Sequence, residues 1–257
     1  MRPTALILAA LLPGSTLSAQ VSTEAPAGSW VFTPSFASQY MFRGARLGGP
    51  SLQPTLEYDR GPLAAGLWGS FPLRDHVADG SESEVDFYGT YRVDLGHGLA
   101  LVPEIYLYTY PGATRADGYY PVTIEPSLGL ECSVGPVQLT PKLYYDFMLK
   151  GPTAELTAAL ALPLPAAGTE LDFTGTIGTF RLTDSIPDTT PAVKNWGDYW
   201  LVGVSAPFQL PNGAKLTVGW AYTAGSRNYL QQGNAAKAAN PDAVGRGVLT
   251  ISYAWSF

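Results

Sequence analysis

The sequence predicts an all-β chain that closes on itself as an antiparallel transmembrane β-barrel of about twelve strands, with short periplasmic turns and longer extracellular loops. Three observations carry this expectation. Apolar and polar residues alternate with a period of two over runs of ten residues or more, where soluble strands average about five or six. The connections between those runs are alternately short and long. Charges collect on one parity of the runs and aliphatic residues on the other.

The stretch Tyr120–Leu149 shows the pattern most plainly. Tyr120, Val122, Ile124, Pro126, Leu128 and Leu130 share one face, and Thr123, Glu125, Ser127, Gly129 and Glu131 share the other. After a turn at Ser133–Gly135 the alternation resumes. Val137, Leu139, Pro141, Leu143, Tyr145, Phe147 and Leu149 oppose Gln138, Thr140, Lys142, Tyr144 and Asp146. A period of two belongs to extended strands with one apolar face. A strand crosses a bilayer in about nine to eleven residues at its usual tilt, and both runs reach that length.

Composition and address agree. Only 14% of the 257 residues are charged, and 28 Gly, 22 Pro and 15 Tyr suit a β protein rich in turns and rings. A net charge of −6 leaves no basic patch for phosphates, which excludes nucleic acid as a partner. Arg2, the apolar run Ala5–Leu12 and the small pair Ser18-Ala19 read as a secretory signal over residues 1–19, so the barrel is expected over 20–257. No window holds 18 consecutive apolar residues, as a helical span would require. Cys132 is the lone cysteine and has no internal disulfide partner.

Twelve strands follow in order: Ser29–Met41, Ser51–Asp59, Pro62–Phe71, Glu82–Val93, Gly98–Tyr110, Tyr119–Glu131, Pro136–Leu149, Thr153–Leu162, Thr169–Leu182, Trp196–Phe208, Ala214–Thr223 and Gly247–Phe257. An even count brings both termini to the periplasmic side. Odd-numbered connections are the long ones, up to Ala224–Arg246, and even-numbered ones are tight. Lys150–Pro152 is short where a long loop is due. The lipid parity carries residues such as Leu56, Leu67, Phe87, Ile105, Leu156, Val202 and Ile251. Arg181 and Asp198 break its sorting at the outer rim, where a bulge is expected to turn them. Two aromatic belts bracket this band, as at the two interfaces of a bilayer. Tyr40, Phe71, Tyr120, Phe147, Trp200 and Tyr222 form the belt near the long loops. Trp30, Phe32, Tyr58, Phe208, Trp255 and Phe257 form the other.

Several motifs then resemble a known family. Ser38-Gln-Tyr-Met-Phe-Arg-Gly44 is similar to the Ser-Asp-Tyr-x-Phe-Arg-Gly motif of the TorF-type porins, with Gln39 at the Asp position. Gly66-Leu-Trp-Gly-Ser70 and Glu84-Val-Asp-Phe-Tyr-Gly89 are similar to strands of that family. The resemblance covers about the first third of the chain and implies an outer-membrane porin. The alternating strand Gly247–Phe257, ending in an aromatic, resembles the signal read by the barrel-insertion machinery.

Enzyme chemistry finds little support. His76 falls in a loop and His97 in a Gly-rich turn, no Gly-x-Ser-x-Gly elbow is present, and no Cys/His cluster suits zinc. Neither a cofactor nor a catalytic residue is indicated. The acidic run Asp75–Asp79 matches no metal loop. The lumen-facing charges expected to line a pore are Arg43, Glu57, Glu84, Asp86, Arg92, Glu104, Glu125, Lys142, Asp146, Glu155, Glu170, Asp172 and Lys215. Arg43 either marks the channel mouth or pairs with a carboxylate of a neighbouring strand, Glu84 and Asp86 being candidates. With strand edges included, thirteen acids face five bases on this parity. The expected function is passive diffusion of small hydrophilic solutes, preferably cations, through the outer membrane. The alternative is a closed structural or adhesive barrel, plugged by internal ion pairs, that binds an outside partner through its long loops.

Overall fold

The computed structural model describes residues 28–74, 83–112, 121–182, 195–226 and 245–257. The expected signal peptide, His76, the acidic run Asp75–Asp79, Tyr120 and most of the long loops lie outside these residues.

Strand β1 (Ser29–Thr33) and strand β2 (Ser35–Ala37) are two halves of one barrel strand, interrupted at Pro34. A short pair follows, β3 (Tyr40–Phe42) and β4 (Ala45–Gly48). Next come β5 (Ser51–Leu52) and β6 (Thr55–Arg60), again one strand, interrupted at Gln53-Pro54. Proline has no N–H for the ladder, so both breaks fall where a bond is missing. Even so, Gln53 N donates to Ser35 O across the gap at 2.8 Å. Then come β7 (Leu63–Pro72), β8 (Glu84–Tyr91) with its continuation β9 (Val93–Gly96), β10 (Leu99–Thr109) and β11 (Val122–Val134). The circuit is completed by β12 (Val137–Asp146), β13 (Gly151–Leu164), β14 (Thr169–Leu182), β15 (Asn195–Gln209), β16 (Lys215–Gly225) and β17 (Arg246–Ser256).

Successive barrel strands pair antiparallel throughout, and β17 returns to β1 and β2, with Phe32 opposite Trp255 and Phe36 opposite Ile251. With the interrupted strands joined, this is a closed barrel of twelve strands. Closure leaves no edge strand whose ladder groups would lie unpaired against an apolar medium. The alternation follows the pleat. On β10, Ala100, Glu104, Tyr106 and Tyr108 are buried inside, while Ile105 is 53% exposed on the outer wall. On β8, Glu84, Asp86 and Tyr88 point inward and Phe87 outward.

The chain departs from expectation at four places. The first strand ends at Ala37 rather than Met41, and Tyr40 leaves the predicted lipid belt to lie inside, 4% exposed. Strand β12 stops at Asp146, because its Oδ1 accepts the N–H groups of Met148 (2.8 Å) and Leu149 (2.7 Å) and turns the chain. Leu149 therefore faces inward, not lipid. Strand β11 runs on to Val134, so the turn is Gly135-Pro136, with Gly135 at φ +59°. No bulge turns Arg181 or Asp198, since the β14–β15 register is unbroken. Instead the Arg181 guanidinium lies 5.1 Å over the ring of Trp196, its cross-strand neighbour.

Candidate functional site: the lumen and its inward hairpin

The segment Tyr40–Gly48, expected as the end of a strand and the start of an outer loop, is a hairpin folded into the barrel. Its turn residues, Arg43 and Gly44, both have positive φ (+47° and +77°), as a two-residue type I′ turn requires. A Cβ on Gly44 would lie 2.5 Å from the backbone N of Gly225 at the end of β16. Only glycine fits there, which accounts for the Gly that follows Arg43 in the motif.

Contacts from this hairpin run round the inner wall. Tyr40 packs on Trp68 of β7, ring centroids 5.5 Å apart, and donates its hydroxyl to Glu84 of β8 at 2.8 Å. Phe42 meets Tyr108 of β10 edge-on. The Arg43 fork donates two bonds of 2.8 Å to the Glu125 carboxylate of β11, with both side chains buried. The same guanidinium lies 4.8 Å from the rings of Phe42 and Tyr144. Ala45 packs among Leu149, Phe180 and Tyr199, and Met41 against Val248 of β17. Leu149 reaches this cluster through the Asp146 turn, so the short connection after β12 begins with a residue packed on the hairpin.

A second layer lies toward the short turns. Lys142 donates to Glu104 at 2.7 Å, and its ammonium lies 4.9 Å from the Tyr144 ring. Glu57 accepts from Tyr88 (2.7 Å), and Glu155 from Tyr199 (2.7 Å) and Tyr144 (3.3 Å). Arg92 pairs with Glu131 at the short-turn end, in a more exposed setting. Asp172 is buried directly opposite Ser205, and the half-buried Glu170 and Lys215 lie at the strand ends nearest the short turns. Asp86 is fully buried, and among the described residues neither of its carboxylate oxygens has a hydrogen-bond partner of good geometry.

The lumen thus brings together Arg43 with Glu125 and Lys142 with Glu104. Arg43 does not pair with Glu84 or Asp86, because the inward fold carries its turn past β8 to β11. The sequence reading did not single out the inner tyrosines: Tyr88, Tyr106 and Tyr108 form a stacked row with centroids 5.8 and 5.5 Å apart. Their signal was present, since Glu104-x-Tyr106-x-Tyr108 and Asp86-x-Tyr88 place rings on the acid parity. His97 lies in an exposed turn, and no group of three His, Cys, Asp or Glu is placed to hold a metal among the described residues.

A family described as a bacterial protein of unknown function (Gcw_chp) matches residues 24–245. In solved structures, the chain is similar to the NanC porin, with a TM-score of 0.53, 8% identity, and 88% of this chain and 98% of that one covered. It is also similar to the KdgM porin, with a TM-score of 0.50, 9% identity, and 89% and 99% covered. At these identities the likeness is one of barrel fold. No curated protein matches the chain by sequence.

Proposed function

We propose that this chain, which belongs to the Gcw_chp family, is a porin-like outer-membrane channel through which small hydrophilic solutes diffuse passively, cations preferentially. The observation that carries this reading is the inner wall itself. Among the described residues, the inner-wall bases Arg43 and Lys142 are each engaged by a carboxylate. Among the described residues, Glu57, Glu84, Asp86 and Asp172 are buried acids that form no ion pair, Glu57 and Glu84 accepting tyrosine hydroxyls instead. Carboxylates set along a narrow polar lumen favour cations. The outer wall supports a lipid setting: Leu67, Phe87, Ile105, Leu128, Leu143 and Ile177 form an exposed apolar surface that water would disfavour. The TorF-type resemblance, the signal-like residues 1–19 and the aromatic C-terminal strand all support export to the outer membrane and delivery to the insertion machinery. In this reading the β3–β4 hairpin is the constriction.

The test is conduction by the purified barrel in a planar bilayer, with polymers of graded size to gauge the opening. Current that excludes larger polymers and favours cations is expected. A second reading is supported by one observation, the contacts the hairpin makes from Trp68 round to Val248. It holds that the barrel is closed and acts through its long loops. The wild-type barrel would then carry no current, and a barrel without the hairpin would carry it.

A further inference from the structure

Asp86 is the inner-wall group whose surroundings are least explained by folding alone. It is 0% exposed, and among the described residues neither carboxylate oxygen has a hydrogen-bond partner of good geometry. Its cross-strand neighbours on the same face are Trp68 of β7 and Tyr108 of β10. Tyr40 of the hairpin packs tilted against Trp68, ring centroids 5.5 Å apart. Glu84, two residues along, adds a second carboxylate and accepts the Tyr40 hydroxyl at 2.8 Å. Aromatic faces carry partial negative charge, so the rings offer this carboxyl group no counter-charge, and among the described residues no base forms an ion pair with it. The nearby cationic heads are engaged elsewhere, Arg43 by Glu125, Lys142 by Glu104 and Arg46 by Gln39.

We infer that the Glu84–Asp86 face of β8 is a binding site for an ammonium-type cation, with Asp86 as the floor and Trp68, Tyr108 and Tyr40 as the cage. Rings and a carboxylate together select an alkylammonium head over neutral solutes. Two carboxylates and hydroxyls fall short of the six to eight oxygens that calcium takes. The site rests on the channel reading and gives it a solute class: small amines that pause beneath the hairpin.

The probe is methylammonium chloride, titrated calorimetrically into the full-length barrel in detergent, with sodium chloride at equal ionic strength as reference. Saturable one-site binding is expected, accompanied by a rise in unfolding temperature. Asp86→Asn keeps the shape, and its affinity is expected to fall at least tenfold. Glu131→Gln, remote at the Arg92 pair, is expected to bind as the wild type does. Trp68→Leu removes a cage wall and leaves both acids, and a several-fold loss is expected even if Asp86→Asn does not fold. Absence of saturable binding to the wild type, undiminished affinity in either site variant, or calcium binding more tightly than methylammonium would overturn the inference. A barrel that binds methylammonium but carries no current retains the site and loses the channel.

Discussion

Arg43 holds a backbone conformation, φ +47°, that costs a non-glycine residue about 1–2 kcal/mol. Its two bonds to Glu125 and its place between two rings offset that cost and fix the hairpin tip. Removing one partner of a buried pair leaves the other charge stranded, a loss of about 3–5 kcal/mol. Arg43→Ala and Glu125→Gln should each lower stability by that order in urea unfolding from detergent. The double variant should lose less than the sum, because neither charge is then left alone. Arg43→Lys should recover only part, having no fork to match the carboxylate. At this scale the sequence was half legible. The acid parity and the Arg-Gly turn could be read from local pattern. The choice of Glu125, 82 residues away, over the nearer Glu84 could not, since it depends on how far the hairpin reaches.

The hairpin β3–β4 is the element on which the interior depends. Period-two reading carried the first strand through to Met41, because alternation persists in the residues after the chain has turned inward at Ser38-Gln39. Neither segment of the hairpin exceeds four residues, too short for parity to reveal which wall it faces. The Asp146 turn is similar: alternation continues to Leu149, but one aspartate side chain binds two backbone N–H groups and ends the strand. Two outcomes follow at this scale. Gly44→Val puts side-chain atoms into the Gly225 backbone, so the hairpin should be displaced, with higher conductance and new protease cleavage within residues 40–48. Leu149→Ala empties space beside Ala45, Phe180 and Tyr199, and should cost about 2–5 kcal/mol of stability in urea unfolding while conductance rises less than for Gly44→Val.

The whole molecule follows from keeping one parity polar and the other apolar through twelve strands and then closing the circuit. That much was legible, because the alternation repeats along most of the strands, with Arg181 and Asp198 as the exceptions. Ile105→Arg, mid-strand on the outer wall, should destabilise the barrel by about 2–4 kcal/mol in unfolding from lipid vesicles. Asp172→Asn, on the inner wall, should leave stability nearly unchanged and weaken cation preference. The interior was less legible than the exterior: tyrosines and acids share a parity, and only the closed circuit shows that they meet across it. The measurement that bears most directly on this account is the reversal potential of the purified barrel in a planar bilayer under a potassium chloride gradient. The account predicts a current whose reversal potential has the sign of cation preference, reduced when Asp86 and Asp172 are both replaced by Asn. No current from folded barrel, or a reversal potential of the opposite sign, would contradict it.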